Sequence, residues 1–484
     1  MVRLTFPAQP KSLLRGAQHL IVVGRAGRLR EGLTSVLPAP VSEAIRELLA
    51  EQEGNGLTSS TLVEGELRRV TVGVISGAGS RHNCPARPDL VARIVSGSGL
   101  RPGAKVAALF CLEEEDHAEA TLTGLARGLP LFDRKTSGEG SETKLQILLL
   151  DPDGEPVRLS ADEKTRVNLV REAAMMVDTP PSELHPEAFA AEAKRLLEEI
   201  ERVTVKEIIG PALARNKLGG IHAVGKGANR APRMLVATYR PARPRGEHVA
   251  LVGKGVTFDT GGLHLKPRGG MEGMKCDMGG AAATLGAFRA IASGGVPRQV
   301  SLLLCLAENA IGPDSYKPDD IITMHSGRTV EINNTDAEGR LLLADGLSYA
   351  ATRLGAEVLI DAATLTGAQL VATGANHAAV VSNDAELEAQ FVAAGRASGD
   401  LVFPLPFAPE FYQSEFKSPV ADMRNSVKNR ANAQSSCAAQ FLWSHIDRAD
   451  VRWAHIDLAG PAWQGERGTG FGVSVIAHAV RALA

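Results

Sequence analysis

Two carboxylates and a guanidinium fall within five residues in Asn334-Thr335-Asp336-Ala337-Glu338-Gly339-Arg340-Leu341, which runs straight into the apolar stretch Leu341-Leu342-Leu343-Ala344. Upstream, Lys254, Asp259, Lys266 and Asp277 are spread over glycine-rich segments, among them Gly253-Lys254-Gly255 and Asp277-Met278-Gly279-Gly280. Any one of these acids could cap a helix or form a turn. Four of them gathered together would repel, and Lys254, Lys266 and Arg340 do not look sufficient to hold them. Divalent cations resolve that conflict. Carboxylate oxygens suit hard or borderline ions, and two bound cations can polarise a carbonyl while activating a water.

The elements that must position these residues read as an α/β chain. In the first 155 residues, strand-like runs at 19–23, 70–74, 106–111 and 145–150 alternate with helical stretches at 41–51 and 115–127. Gly/Ser-rich pieces at 77–80, 96–99 and 137–141 read as surface loops, as does the turn-like His82-Asn83-Cys84. A helix over 161–177 stops at Thr179-Pro180-Pro181, and the domain joint is placed there. An amphipathic helix at 186–200 follows. Strands at 248–252, 300–305, 358–361, 379–382 and 453–458 then alternate with helices at 280–292, 341–353, 387–398 and 435–446. Such alternation predicts a largely parallel central sheet flanked by helices, preceded by a small α/β domain. The expected domains are 1–160, a linker helix at 161–180, and a larger C-terminal domain at 181–484 that would carry the site. Lys254 and Asp259 are expected to follow a strand, while Asp277 and the 334–341 octet precede helices, where open α/β sheets build their sites.

Bulk properties leave the partner class narrow. The chain has 484 residues, 44% hydrophobic and 22% charged, with 53 Lys+Arg against 55 Asp+Glu and a net charge of −2. That balance gives nucleic acid no overall electrostatic footing, although it says nothing of a local basic patch. No run reaches the length of a membrane span, and residues 1–20 lack the unbroken apolar core of a secretory signal. The five cysteines are scattered, odd in number and without a CxxC pair, so neither a disulfide framework nor a thiolate zinc site is indicated. Cytoplasm is the default location.

Other motifs are set aside on their spacing. Lys254 is not part of a phosphate loop, because Gly255 and Val256 follow it instead of Ser or Thr, and on its own it reads first as a surface lysine. His264, His325, His377 and His455 show no HExxH or short paired spacing, so none is assigned as a ligand.

The octet, together with the intervals separating Lys254, Asp259, Lys266, Asp277 and Asp336, resembles the signature of the M17 leucine aminopeptidases over roughly residues 165–484. The resemblance implies a metal-dependent exopeptidase releasing N-terminal residues, leucine-type by preference, from peptides. It implies two divalent ions per subunit, manganese or zinc. One site would take Lys254 (as a neutral amine), Asp259, Asp277 and Glu338; the other would take Asp259, Asp336 and Glu338. Lys266 would stabilise the oxyanion, and Arg340 would hold a bicarbonate that serves as general base. Met274, Thr364, Leu365 and Gly367 would line the substrate site. A homohexamer and a macro-like, non-catalytic N-terminal domain are implied in the same way. The chain departs from the family pattern at Asp178, around residues 433–439 and around 469–473, none of which is an implied ligand. A DNA-binding regulator and a catalytically silent binding protein are the competing classes. Near-neutral charge speaks against the first, and the complete ligand set against the second.

Overall fold

The computed structural model describes residues 2–483 apart from 32, 34, 35, 51–53, 55, 76, 78, 137–141 and 430. The 137–141 loop therefore lies outside the described residues. The chain forms two compact units, Met1–Arg171 with Gly395–Gly399, and Glu172–Ala394 with Asp400–Ala484.

The first unit carries six strands: β1 (Val2–Thr5), β2 (His19–Gly24), β3 (Gly56–Glu64), β4 (Leu67–Val74), β5 (Lys105–Cys111) and β6 (Thr143–Leu150). They lie in the order β1-β6-β5-β2-β4-β3, and every neighbouring pair is parallel except β3 with β4. β2 is buried along its whole length, as its continuous apolar run requires of a strand covered on both faces. Helix Ala39–Ala50 packs Val41 and Ile45 with Leu20, Val22, Val70 and Leu109 in one core. Two loop expectations are corrected here. Residues 96–97 end the helix Pro88–Gly97, and Cys84 is buried although its neighbour His82 is exposed.

The second unit contains β7 (Val203–Ile209), β8 (Arg233–Tyr239), β9 (Val249–Asp259), β10 (Val300–Asn309), β11 (Ile321–Thr323), β12 (Thr329–Glu331), β13 (Val358–Ala363), β14 (Ala378–Ser382), β15 (Val402–Pro404), β16 (Met423–Arg424), β17 (Arg452–Asp457), β18 (Trp463–Gln464) and β19 (Arg467–Gly468). Eight of these build one sheet in the order β15-β14-β17-β13-β9-β10-β8-β7. Its centre, β17-β13-β9-β10, is parallel throughout, while β7, β8 and the β14–β17 pair run antiparallel toward the edges.

The expectation that Lys254 and Asp259 follow a strand is corrected. β9 runs through Lys254 and ends on Asp259, because its ladder with β10 continues past Val256 and, after an irregularity, pairs Asp259 with Asn309. The flanking glycines, which looked like loop signals, serve packing. A Cβ at Gly253 would come within 2.6 Å of the Ala281 backbone, and one at Gly255 within 2.3 Å of Leu306. Glycine inside a strand marks such a close approach. Side-chain alternation then turns Gly253 and Gly255 toward the helix Gly279–Ser293. Lys254 is left on the other face, beside the start of the helix Gly339–Arg353, where a Cβ at Gly339 would lie 2.4 Å from its Cε.

Candidate active site

Strand ends and helix starts meet at one edge of the central sheet. β9 delivers Lys254 and Asp259, and the loop beyond it carries Lys266. A single 3₁₀ turn, Met274–Cys276, sets Asp277 just before the helix Gly279–Ser293. Asp336 and Glu338 lie in the turn entering the helix Gly339–Arg353, and Thr364 follows β13. This is the carboxyl edge of parallel strands, the usual place for an α/β site.

The structure brings the four carboxylates and two lysines together. Lys254 Nζ donates to Asp277 Oδ1 at 2.6 Å and to the Thr364 carbonyl at 2.9 Å, and pairs with Glu338 Oε1 at 2.9 Å. Lys266 Nζ bridges Asp259 Oδ2 at 2.8 Å and Asp336 Oδ1 at 2.6 Å. Thr364 Oγ1 donates to Asp277 Oδ1 at 2.8 Å. Lys254, Asp259, Asp277 and Glu338 are all buried, whereas Asp336 is exposed. Oxygens of Asp259, Asp336 and Glu338 lie within 4.8 Å of one another, close enough to share an ion.

Electrostatics leave this cluster short of positive charge. Two ammonium groups face four carboxylates, an excess of two negative charges before Arg340 is considered. Burial raises the Asp277 carboxyl well above its ordinary range; Lys254 pulls it down, and Glu338 and Asp259 push it further up. Burial also raises Glu338, with Asp259 adding to the shift, and it raises Asp336 against the opposing hydrogen bond from Lys266. Both lysines are raised as well. Burial alone would lower them, but the surrounding carboxylates outweigh it. Asp277 Oδ2 is buried with no hydrogen-bond partner among the described residues. A closely spaced oxygen cluster with excess negative charge and an orphaned carboxylate oxygen fits divalent cations.

Arg340 begins the same helix that Glu338 precedes. Its Nη1 donates to the Asn425 carbonyl at 3.0 Å, while its buried Nε has no partner among the described residues. Burial lowers its pKa to about 10, with Glu338 and Asp457 opposing the shift. A half-buried guanidinium whose Nε–H is buried and unsatisfied fits a small oxyanion.

Comparisons with known proteins agree with this geometry. Residues 171–477 match the catalytic domain of the cytosol aminopeptidase family, and residues 18–138 match the M17 aminopeptidase N-terminal domain 2. The chain belongs to the M17 cytosol aminopeptidase family. It is 44% identical to the probable aminopeptidase NPEPL1 of Mus musculus, over 97% of this chain and 89% of that protein. The leucyl aminopeptidase of Trypanosoma brucei in complex with bestatin superposes with a TM-score of 0.91 at 35% identity, covering 99% of this chain and 95% of that one. The bottromycin maturation enzyme BotP in complex with Mn is similar with a TM-score of 0.79 at 30% identity, covering 96% and 99%. As an M17 member the chain is a peptidase hydrolase, a metal-dependent exopeptidase of the leucyl aminopeptidase kind.

The residues expected to line the M17 substrate site divide. Thr364 touches the acid cluster directly. Leu365 N–H donates to Asp457 Oδ1 at 3.1 Å. Met274 is half-buried on the turn leading to Asp277, and Gly367 is the exposed first residue of the helix Gly367–Thr373.

Sequence reasoning missed the polar residues that hold this arrangement. Asn309 Nδ2 donates to Asp259 Oδ1 at 2.8 Å and to the Thr335 carbonyl at 3.1 Å, and Tyr316 OH donates to the same carbonyl at 2.6 Å. Asn425 Nδ2 donates to the carbonyls of Asn334 and Ala337, while its Oδ1 accepts from the N–H groups of Asn333 and Asn334. Asp457 accepts from Leu365 N, Thr366 N and Thr366 Oγ1, the last at 2.6 Å, which pins the loop after β13. Only Asp457, an acid in an apolar strand, carried a signal that could have been read.

Three of the four histidines left unassigned make structural bonds. His264 Nδ1 lies 3.2 Å from Thr335 Oγ1, His325 Nδ1 2.9 Å from Ser348 Oγ, and His455 Nδ1 2.6 Å from Asp361 Oδ1. At one departure from the family pattern, buried Asp178 accepts from Arg467 Nε at 2.8 Å and from Gly468 N at 2.7 Å. At another, Gly472 adopts φ +99° and its N–H donates to Asp400 Oδ2, which also accepts from the first turn of the helix Val473–Ala482.

Proposed function

We propose that the chain removes N-terminal residues, leucine-type by preference, from short peptides, using two divalent cations. Lys254, Asp259, Asp277 and Glu338 would hold one cation, and Asp259, Asp336 and Glu338 the other. The observation that carries this reading is the cluster of four carboxylates, three of them buried, with two ammonium groups among them. Manganese and zinc both suit such a donor set, and the BotP relative was solved with Mn. Bound cations supply Lewis acidity toward the scissile carbonyl and a water whose pKa falls to about 7.

The chain's own residues do the rest. Lys254 as a ligand must shed its proton, which the neighbouring positive charge of the metals favours. Lys266, which pairs with Asp259 and Asp336, would donate a hydrogen bond to the oxyanion of the tetrahedral intermediate. Arg340 would offer its buried Nε to a small oxyanion, bicarbonate, which supplies a general base where the acid-bearing segments themselves carry no histidine. Asp457 fixes Leu365 and Thr366, so that the 364–367 loop presents its backbone to the peptide, and Met274 borders the first side chain. We assign this chemistry to residues 181–484, with residues 1–160 a non-catalytic, macro-like domain joined through 161–180.

The test combines metal analysis with a panel of aminoacyl substrates. Leucine p-nitroanilide should be cleaved, its N-acetyl derivative spared, and EDTA or o-phenanthroline should abolish turnover. Undiminished activity after complete metal removal would sink the proposal. Cysteinyl-glycine in the panel separates a narrower dipeptidase.

A homohexamer enclosing the sites would admit short peptides while excluding folded chains, and closed symmetric assemblies are common for soluble enzymes. Multi-angle light scattering should give a mass near six times 51.0 kDa; a fully active monomer would refute the assembly. We place the enzyme in the cytoplasm, in line with relatives named cytosol aminopeptidases. No helix among the described residues is long and apolar enough to cross a membrane.

A further inference from the structure

A second concavity, of about 460 Å³, lies in the first unit at the amino ends of the parallel strands, the opposite edge from the one where α/β sheets usually bind ligands. His19 opens β2, Arg68 and Arg69 stand at the start of β4, Ser59 comes from β3, and Arg101 lies in the turn before β5. We propose that this concavity binds a small anion bearing a phosphoryl group.

Charge is the first argument. Three arginines line the pocket and no carboxylate does, and none of the three forms an ion pair among the described residues. Like charges gathered without a counter-charge cost free energy, which a bound anion would offset. Guanidinium groups are planar forks whose geometry matches phosphoryl oxygens. Arg68 Nη1 is held by the carbonyls of Gly65, at 2.6 Å, and Leu67, at 3.1 Å, and Arg69 Nη2 by Ser59 Oγ at 3.2 Å. These bonds orient the guanidinium groups without neutralising them.

The pocket is also built rather than merely charged. Ser59 Oγ, Thr71 Oγ1 and His19 Nε2 form a chain with links of 2.8 Å each. Burial, together with Arg69 and Arg101, pushes His19 down to about 4, so the ring is neutral at physiological pH and keeps one donor and one acceptor. Gly99 adopts φ +67°, and a Cβ there would lie 3.1 Å from Arg69 Nη1, so the glycine lets the guanidinium rest against the backbone.

Size and lining narrow the ligand. The volume falls in the range of small-molecule sites, about 300–1,000 Å³. No Phe, Tyr or Trp lines it, so nothing is placed to stack on a base. The arginines converge on one concavity instead of tracking an extended backbone. A compact phosphorylated molecule fits these features better than a nucleic acid.

Calorimetric titration of inorganic phosphate and of glucose 6-phosphate into the metal-loaded full chain, at low ionic strength, tests the site. Binding is expected in the wild type and should weaken by about tenfold or more in the Arg69→Gln/Arg101→Gln double variant, as loss of charge-assisted bonds predicts. Peptidase activity and thermal midpoint should not change. Arg101→Gln alone, on an exposed turn, serves if the double variant folds poorly. Equal affinity in wild type and variant would overturn the proposal. So would equally tight, arginine-dependent binding of citrate, which would remove the phosphoryl specificity. Arginine-dependent binding of a duplex oligonucleotide with none of phosphate would reassign the surface to nucleic acid.

Discussion

Glu338→Ala and Asp277→Ala enzymes should lose bound metal and activity together, whereas Lys266→Ala should keep its metals and lose about a hundredfold or more in kcat. The contrast follows from what each side chain does. Glu338 and Asp277 are buried oxygen donors in a cluster with no spare carboxylate to replace them. Lys266 is a counter-charge that spans Asp259 and Asp336, and its removal leaves every oxygen in place. Loss of a single oxyanion donor typically costs a hundred- to a thousandfold in kcat. Truncating Glu338 also strips one of two carboxylate partners from buried Lys254, which keeps Asp277, and it leaves a cavity in the cluster. Glu338→Gln, which retains shape, separates metal loss from unfolding. Metal content by mass spectrometry, thermal midpoint and kcat form the readout. A Lys266→Ala protein that emerges without metal would overturn the division of roles.

The acid cluster was legible in the sequence because four acids and two lysines stand among glycines beside apolar runs, and because the intervals separating them resemble the M17 signature. Reading apolar runs placed the starts of the central strands β9, β10, β13 and β17 to within about a residue. It failed where side chains serve two purposes. Gly253 and Gly255 looked like loop residues, but they flatten β9 against a helix, so the strand runs on through Lys254 to Asp259. β7 and β8 were not anticipated. β7 alternates half-buried and exposed positions at a sheet edge, and β8 is bounded by Arg233 and the basic segment 240–245. Asn309 and Asn425 were invisible for a different reason. An uncharged amide has no pattern in sequence, and its importance arises only when the fold aims it at the backbone of the 334–341 turn. Such buried polar networks specify one arrangement when every member is satisfied.

That network bears on Arg340, the residue whose replacement should be most diagnostic of the base. Arg340→Ala should retain both metals, bind substrate nearly normally, and lose between about a hundred- and ten-thousandfold in kcat, the usual worth of general-base assistance. The guanidinium is fastened through Nη1 to the Asn425 carbonyl, while its buried Nε has no partner among the described residues, so it is held in place with a buried donor uncommitted. With its pKa lowered only to about 10, it stays charged at neutral pH. Wild-type enzyme degassed to remove carbonate should slow and recover when bicarbonate returns; the Arg340→Ala enzyme should respond to neither treatment. Arg340→Lys should rescue poorly, because an ammonium carries the charge without the two-pronged geometry. Asn425→Asp gives the control for a positioning effect. It disturbs the amide that organises Asn334 and Ala337, so it should alter metal affinity as well as kcat while leaving the bicarbonate response intact. A fully active Arg340→Ala enzyme would leave Arg340 a packing residue and the base still to be found.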